Sequence, residues 1–211
     1  MHPYLLQLSH LRNHYYSNQP DTAHEYRTFD FELKGKTFRF TTDSHVFSKA
    51  TIDYGSRVLI EAFDDQELPE GPLLDVGCGY GPIGLSLAYA TNRTVEMLDV
   101  NERAVELAKH NAQQNHIQQV EIHSSYLYET LNHAAYAAIL SNPPIRAGKQ
   151  VVHEILEKAY PLLLVGGTLT IVIQKKQGAP SAQKKMQEIF GNAQVLLKDR
   201  GYYIIQSIKE E

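Results

Sequence analysis

The sequence predicts an α/β protein: a doubly wound, mostly parallel seven-stranded sheet preceded by a β-hairpin and a helix. From residue 72 onward, short apolar runs alternate with segments of helical pattern, which is typical of a parallel sheet covered on both faces. Only a short polar link near Gly201 separates the last two apolar runs, so one of these strands must run antiparallel to its neighbour. We expect residues 1–66 to form an N-terminal extension and residues 67–211 the core of a single structural domain.

The extension is expected to contain a hairpin and a helix. In "YRTFDFELKGKTFRFTT", which begins at Tyr26, aromatic and polar residues alternate on both sides of Lys34-Gly35-Lys36. That pattern predicts two strands joined by a glycine turn. The next segment predicts a helix over about residues 49–63, and the polar stretch "DDQELPEGP" then connects the extension to the core.

The core is predicted to contain seven strands, each a short apolar run bounded by turn residues. They are "PLLDV", "TVEMLDV", "VEIHS", "YAAILS", "GGTLTIVIQ", "AQVLLKD" and "YYIIQSIK". Four helices are predicted between them: "PIGLSLAYA", "NERAVELAKHNAQQN", "KQVVHEILEKAYPLLL" and "SAQKKMQEIF". Pro82 suits the first turn of a helix, Asn101 and Ser181 are the expected N-caps, and Gly191 is expected to end the last helix.

The composition is that of an ordinary globular protein, with 43% hydrophobic and 21% charged residues. Cys78 is the only cysteine, so no intrachain disulfide can form, which suits a reducing compartment. The N-terminus lacks the basic and apolar regions of a signal peptide, and the longest mostly apolar stretch, residues 160–173, is too short to span a bilayer. We therefore expect a soluble cytoplasmic protein with no membrane partner.

Charge is unevenly distributed along the chain. Residues 1–140 carry a net charge of −8 and residues 141–211 a net charge of +4. Basic side chains in the second part are candidates for contact with RNA phosphates, because they follow or flank predicted site loops. The candidates are Arg146, Lys149, Lys175 and Lys176, with Lys184 and Lys185 as further members.

The glycine loop in "LLDVGCGYGPIG" is the first candidate site. Gly77, Gly79 and Gly81 follow a predicted strand and open a helix, and glycine lets a ligand approach the main chain closely. Asp99 ends the next strand, where a carboxylate can accept hydrogen bonds from two ribose hydroxyls. Because ligands of open α/β sheets bind beyond the carboxyl ends of the strands, the loops that follow these strands are expected to meet at one edge.

The same loop also matches the dinucleotide pattern G-x-G-x-x-G between Gly79 and Gly84, which would indicate an NAD-dependent oxidoreductase. In that pattern the glycines begin directly at the strand end, but here Gly77 and Cys78 come first. Pro82 also removes an N–H group that a pyrophosphate would use. Both features argue against a dinucleotide site. Asp75, two residues before the first glycine, suits a cationic or amine-bearing ligand better than a diphosphate.

With its acid at the end of the second strand, "DVGCGYG" resembles the nucleotide-binding half of class I S-adenosylmethionine-dependent methyltransferases, which have a Rossmann-like fold. The resemblance implies that S-adenosylmethionine is the cofactor and that the glycine loop passes its methionine part. It also implies that the acid holds the ribose and that a residue after the third strand contacts the adenine. The implied cofactor-binding residues are Asp75, Gly77, Cys78, Gly79, Gly81, Asp99, Val100, Ser124, Ser125, Tyr126 and Asn142.

The stretch Asn142-Pro143-Pro144-Ile145 follows the fourth core strand and is the second candidate site. At this point of the fold, (N/D)-P-P-(F/Y/W/I) resembles methyltransferases that act on planar nitrogens, either base amines or glutamine amides. Such a nitrogen is a poor nucleophile because its lone pair is delocalised. The Asn142 side-chain oxygen and the Pro143 carbonyl would each accept one N–H and aim the lone pair at the methyl sulfonium. Positive charge developing on the nitrogen would strengthen both bonds, so these four residues are the expected catalytic residues.

The segment "TTDSHVFSKATIDYGSRVLIE", taken with "NPPIRAGK" and "IVIQKKQGAPSA", resembles a narrower group. These are bacterial small-subunit ribosomal RNA guanine-N2 methyltransferases, in a single-domain form of their catalytic half. The resemblance extends from about Tyr15 to the C-terminus. It implies methylation of a 16S guanine, ribosomal RNA or the small subunit as partner, and Phe47 and Ser48, with Asp43, near the cofactor.

Three positions depart from that group's pattern. His45 stands where glycine is usual, Tyr126 where an acid usually meets the adenine, and Ile145 where an aromatic ring would support the base. Other functions stay open. The Asn-Pro-Pro stretch also suits methylation of an adenine N6 amine or a protein glutamine amide, and the G-x-G-x-x-G match suits an NAD-dependent oxidoreductase. Tyr126 leaves open an RNA-binding protein without catalysis. No metal site is expected, because His10 and His14, four residues apart, have no apparent third ligand. The sequence leaves the oligomeric state open.

Overall fold

A computed structural model describes residues 23–47 and 51–211 of the chain. Its centre is a seven-stranded sheet in the order β5-β4-β3-β6-β7-β9-β8, and β1 and β2 form a separate antiparallel hairpin. All neighbouring strands of the large sheet are parallel except that β9 runs antiparallel to β7 and β8. The strands are β1 (Tyr26–Leu33), β2 (Lys36–Asp43), β3 (Leu73–Val76), β4 (Val95–Asp99), β5 (Val120–Ser124), β6 (Tyr136–Ser141), β7 (Leu163–Gln174), β8 (Gln194–Asp199) and β9 (Tyr202–Ile208). The predicted fold class is confirmed.

Within residues 23–47 and 51–211, five α-helices and three short 3₁₀ helices accompany these strands. The α-helices are α1 (Tyr54–Ala62), α2 (Pro82–Thr91), α3 (Glu102–Gln114), α4 (Lys149–Ala159) and α5 (Ala179–Phe190). The 3₁₀ helices are Ile145–Ala147, Tyr160–Leu162 and Lys175–Gln177. Asn101 caps α3 as predicted, because its side-chain oxygen accepts hydrogen bonds from the N–H groups of Arg103 and Ala104.

The strand order places a topological switch point at β3. The chain runs from β3 outward to β4 and β5, then returns to place β6 on the other side of β3. In the β3–β6 register Val76 pairs with Ser141, so Gly77 and Asn142 leave the sheet side by side. A switch point of this kind opens a crevice at the carboxyl ends of the strands, which is where ligands of open α/β sheets bind.

Two apolar clusters cover the two faces of the sheet. The first includes Phe38 and Phe40 of the hairpin together with side chains of α1, α2 and α3. The second contains side chains of α4 and α5 packed on β6, β7 and β9. Within β6, Leu140 belongs to the first cluster and Ile139 to the second, as expected for a strand buried on both faces.

Asn111 of α3 and Asn115, the C-cap of that helix, attach the hairpin to the core. The Asn111 side chain accepts a hydrogen bond from the Thr41 N–H and donates one to the Thr41 carbonyl, at 2.8 and 2.9 Å. Asn115 makes the same pair of bonds with the backbone of Arg39, both at 2.8 Å. These side chains satisfy backbone groups on the outer edge of β2 that would otherwise lack a partner strand.

Three predicted helix boundaries were wrong. The helix predicted over residues 149–164 ends at Ala159, since Pro161 cannot continue its hydrogen bonding, and β7 already begins at Leu163. Ser181 lies inside α5, whose N-cap is Gly178, rather than capping it. Of the helix predicted over about residues 49–63, residues 49–50 lie outside the described residues and residues 51–53 are not helical. The helix begins at Tyr54, because the Asp53 side chain accepts the Ser56 N–H and so caps it there.

Candidate functional site

The glycine loop leaves β3 through a sharp change of direction. The N–H groups of Gly77 and Cys78 both donate to the Leu98 carbonyl at 2.8 Å, which ties the loop to the neighbouring strand β4. Gly77 has φ +75° and a Cβ placed on it would meet no atom within 4 Å, so its free face opens onto space. At Gly81 (φ +110°) a Cβ would lie 2.8 Å from Leu85 Cδ1, so that glycine serves the packing of α2 instead.

Asp99 joins the glycine loop to the start of α3. Its Oδ2 accepts the Gly79 N–H at 2.9 Å and its Oδ1 accepts the Asn101 N–H at 2.8 Å. Burial raises the pKa of this carboxyl, although the backbone hydrogen bonds oppose the shift. Each carboxylate oxygen keeps a further lone pair, so Asp99 can still accept hydrogen bonds from a ligand.

Asp75 lies completely buried in β3 beneath the loop. Its Oδ2 accepts the Gly84 N–H at 2.9 Å, whereas its Oδ1 has no partner among the described residues. Burial raises the pKa of Asp75 to about 7, and the nearby negative charge of Asp99 adds to this effect. A buried carboxylate with one unused oxygen is costly to the empty protein, and a cationic ligand group would offset that cost.

The pKa of Asp75 predicts the direction of a pH effect on stability. An unfolded Asp has a pKa of about 3.9. Between that pH and about 7, the folded protein keeps a proton on Asp75 that the unfolded protein has released. The free energy of unfolding therefore decreases as the pH rises through this range. Asp75→Asn keeps an oxygen for the Gly84 N–H but cannot ionise. We expect the variant to gain stability over the wild type between pH 5 and pH 8, measured by urea unfolding without ligand. An equal difference between the two proteins at both pH values would contradict this assignment.

The loops after β3, β4, β5 and β6 meet at one narrow cavity. Five of the predicted site residues line it: Gly77, Asp99, Val100, Ser125 and Pro144. The lining is completed by Val76, Leu98, Leu127 and Ile155, which sequence reasoning did not single out. They are apolar residues of the core clusters, so their patterns indicated burial and gave no functional signal.

The segment after β5 is fixed largely by its own contacts. Ser124 is exposed, and the Ser125 hydroxyl donates to the Leu127 carbonyl at 2.9 Å and accepts the Thr130 N–H at 3.0 Å. Tyr126 packs against the second apolar cluster. The Ser125 hydroxyl is therefore occupied within its own loop, and the Ser125 side chain lines the cavity from there.

Aromatic rings close the other side of the glycine loop. The Phe47 ring meets the Tyr80 ring edge-on with centroids 5.0 Å apart, and Phe47 Cε1 would lie 3.4 Å from a Cβ on Gly79. Tyr80 is buried, and its place in the sequence carried no signal of a role at the site. Ser48 lies outside the described residues, as do His10 and His14. Asp43 is fully buried at the end of β2 and accepts the His45 N–H at 3.0 Å, so it shapes the turn that leads to Phe47.

The Cys78 side chain points into the core. Its Sγ donates to the Gly79 carbonyl at 3.5 Å, and burial raises the pKa of the thiol well above its ordinary value. The thiol therefore stays protonated, and the Cys78 side chain serves as a small packing group. Only the backbone of Cys78 takes part in the loop.

Asn142 is held by two residues of the N-terminal extension. Its Nδ2 donates to Asp53 Oδ2 at 2.9 Å and to Ser56 Oγ at 3.0 Å. Its Oδ1 accepts no hydrogen bond from the described part of the chain. Just before it, the Ser141 hydroxyl donates to the Val76 carbonyl at 2.8 Å and fastens the end of β6 to β3. Sequence reasoning missed Asp53 and Ser56, whose only signal was an N-cap pattern.

The remaining predicted residues lie around this edge. Pro143 is buried, and Ile145 packs its side chain against the second apolar cluster. Four basic candidates are exposed and form no salt bridge with a described residue: Arg146, Lys149, Lys175 and Lys176. Lys184 is also exposed, whereas Lys185 is paired with Glu157 at 2.7 Å.

Over residues 23–47 and 51–211, no helix is long and apolar enough to cross a membrane.

Comparison with curated proteins finds relatives of two lengths. An uncharacterized Bacillus subtilis protein, YbxB, is 54% identical over 94% of this chain and all of its own length. Ribosomal RNA small subunit methyltransferase C of Haemophilus influenzae is 29% identical over 85% of this chain and 56% of its own. Ribosomal RNA large subunit methyltransferase G of Pectobacterium atrosepticum is 28% identical over 86% of this chain and 49% of its own. The chain thus spans about half the length of these two methyltransferases.

A solved structure and a family model identify the fold and the family of the chain. The T. thermophilus 16S rRNA N2 methyltransferase, solved with AdoMet and guanosine, superposes with a TM-score of 0.78 at 24% identity, over 90% of this chain and 52% of its own. This similarity confirms the fold. The family model described as "Methyltransferase small domain" matches residues 37–206, most of the chain, and confirms S-adenosylmethionine as the cofactor. The chain therefore belongs to the methyltransferase small domain family.

Proposed function

We propose that this protein transfers a methyl group from S-adenosylmethionine to the exocyclic N2 amine of a guanine in small-subunit (16S) ribosomal RNA. The observation that carries the proposal is the hydrogen bonding of the Asn142 side-chain amide. Both donor hydrogens of its amide are engaged by Asp53 and Ser56, so a carbonyl oxygen is left to accept from a substrate. That oxygen stands at the same sheet edge as the glycine loop and Asp99.

The residues at this edge fit the cofactor. The open face of Gly77 leaves room for the methionine part, and the unpartnered Oδ1 of Asp75 is suited to its ammonium group. Asp99 has lone pairs left for the ribose hydroxyls, while Val100 and Ser125 line the cavity beyond it. When bound, S-adenosylmethionine supplies an electrophilic methyl group on a positively charged sulfur.

The chemistry assigned to this chain is positioning. Asn142 Oδ1 and the Pro143 carbonyl each accept one N–H of the target amine, which turns the nitrogen lone pair toward the methyl group. As the new C–N bond formed, the methyl–sulfur bond of the cofactor would break and its electron pair would return to the sulfur. Positive charge would then develop on the nitrogen, and both hydrogen bonds would strengthen. One N–H proton then leaves to water at the open edge, so no residue needs to act as a strong base beforehand.

Exposed basic side chains beside the site would contact the RNA backbone. Arg146 and Lys149 follow the Asn142 loop, and Lys175 and Lys176 follow the adjacent strand β7. The Lys175 N–H donates to the Gly201 carbonyl at 2.9 Å, which brings the β8–β9 turn to the same edge. Such cations supply most of the affinity for phosphates without reading sequence. A ribosomal substrate would place the protein in the cytoplasm.

The exact target is the finer part of the proposal. The similar relatives include a small-subunit and a large-subunit enzyme at nearly equal identity, so both ribosomal RNAs must be tested. An adenine N6 amine or a glutamine amide presents the same pair of N–H donors and is the second candidate for the Asn-Pro-Pro geometry. Membership of a methyltransferase family removes the oxidoreductase alternative.

The test is methyl transfer to ribosomal components from a strain that lacks this protein. Purified protein and tritiated S-adenosylmethionine are incubated with 30S subunits, 50S subunits, each naked rRNA and the ribosomal proteins. We expect label in 16S rRNA, recovered after nuclease digestion as N2-methylguanosine, and the same nucleotide missing from untreated RNA of that strain. Label in 23S rRNA, in N6-methyladenosine or in the protein fraction would overturn the proposed target.

A further inference from the structure

We propose that Asp53 and Ser56 are positioning residues that hold the Asn142 amide in one orientation and thereby aim its oxygen at the target amine. The proposal rests on the proposed function, in which Asn142 binds the reacting nitrogen. Neither residue belongs to the Asn-Pro-Pro stretch, and the contacts span 89 and 86 positions of the chain.

The orientation follows from the chemistry of the partners. A carboxylate can only accept hydrogen bonds, so the group of Asn142 that faces Asp53 Oδ2 at 2.9 Å must be its NH₂. Ser56 Oγ accepts the second hydrogen at 3.0 Å. If the amide turned over, its oxygen would stand against the carboxylate, and both Nδ2–H bonds would be lost. The pair therefore excludes the orientation in which Asn142 presents donors to the substrate.

Asp53 and Ser56 are themselves fixed by the start of α1. The Ser56 N–H donates to Asp53 Oδ2 at 3.3 Å, and the Arg57 N–H donates to the Asp53 carbonyl at 3.0 Å. Ser56 is buried in the first turn. Between them, a Cβ on Gly55 would lie 2.8 Å from Tyr202 Cε1, so α1 packs tightly against β9 at this point. The core of the sheet thus sets where the pair stands.

The contact also changes the acceptor strength of Asn142. A negative charge next to the NH₂ group polarises the amide and draws electron density toward Oδ1. A stronger acceptor stabilises the positive charge that develops on the target nitrogen more than it stabilises the neutral amine. The loss of Asp53 is therefore expected to lower kcat more than it raises KM.

The first test reads the orientation without any substrate. The side-chain NH₂ signals of Asn142 are identified in an ¹⁵N–¹H spectrum as the pair that disappears in Asn142→Ala. We expect them to exchange slowly with water in the wild type and to move to the values of an exposed asparagine in the double variant Asp53→Ala, Ser56→Ala. Signals already at exposed values in the wild type, or unchanged in the double variant, would overturn the proposal whatever the methyl acceptor is.

The second test uses charge-matched variants in the methyl transfer assay. Asn142→Asp keeps an acceptor oxygen but sets two carboxylates against each other, and we expect kcat to fall about 100-fold, as for a small misplacement of reacting groups. Adding Asp53→Asn supplies an N–H donor to the new carboxylate and should recover a large part of the loss. The absence of recovery, with S-adenosylmethionine binding and thermal stability intact, would overturn the proposal. If the wild type methylates no RNA at all, the proposed function fails, and the spectroscopic result stands separately.

Discussion

Replacing Asn142 with alanine is expected to lower methyl transfer about 10²–10³-fold, the usual cost of removing one transition-state hydrogen-bonding group. The substitution removes the only side-chain acceptor proposed for the target amine and leaves the Pro143 carbonyl alone. Affinity for S-adenosylmethionine should fall much less than the methyl transfer rate, because the glycine loop, Asp75 and Asp99 remain in place and only the implied cofactor contact of Asn142 itself is lost. The measurements are single-turnover methyl transfer to the accepted RNA and calorimetric titration with the cofactor.

A distant asparagine provides the matched control for this substitution. The Asn192 side chain donates to the Ile208 carbonyl at 2.8 Å, at the end of β9 opposite to the candidate site. Asn192→Ala removes a comparable set of hydrogen bonds and should leave the methyl transfer rate unchanged. If Asn142→Ala retained the wild-type rate with intact cofactor binding, the positioning mechanism would be wrong.

Replacing Gly77 with valine is expected to weaken S-adenosylmethionine binding strongly. A Cβ at this position meets no protein atom within 4 Å, so the valine side chain starts from open space and extends into the region proposed for the cofactor. Forcing extra atoms into a filled site costs roughly 1–3 kcal/mol, so we expect the Kd to rise about 10- to 100-fold. The positive φ of +75° will also destabilise the folded protein, by about 1–2 kcal/mol for a residue with a Cβ.

Gly191 separates these two effects. It has φ +76° at the end of α5, and a Cβ there also meets nothing within 4 Å. Gly191→Val should therefore lose similar stability in thermal unfolding while binding S-adenosylmethionine like the wild type. Equal cofactor affinities for the two variants would refute the placement of the cofactor at the open face of Gly77.

Several site features were predictable because their signals are local. The glycine loop and Asp99 lie directly at strand ends, and parallel strands bring their carboxyl ends to one edge wherever the chain enters the sheet. The predicted loops after β3, β4, β5 and β6 do line one cavity. Asn142 was predictable for the same reason, since two prolines stop β6 at a fixed residue.

Other features depend on contacts that no local pattern carries. Lys184 and Lys185 are adjacent lysines that the sequence marks equally as candidates for RNA contact. In the structure, Lys185 forms an ion pair with Glu157 of α4, so its charge is already partnered. The wrong boundary of α4 arose because "AYPLLLV" is apolar throughout, and periodicity cannot separate a buried helix end from the start of a buried strand.

The sequence alone determined the α/β architecture, the glycine loop, the acid at the end of β4 and the Asn-Pro-Pro stop, because each follows from residue type and spacing along one segment. The tertiary structure decided the rest. In the folded chain, Asp53 and Ser56 of the extension contact the amide of Asn142. Burial of Asp75 raises its pKa to about 7. Burial and long-range hydrogen bonds depend on which segments pack together in three dimensions, and residue type and spacing along one segment do not specify that packing.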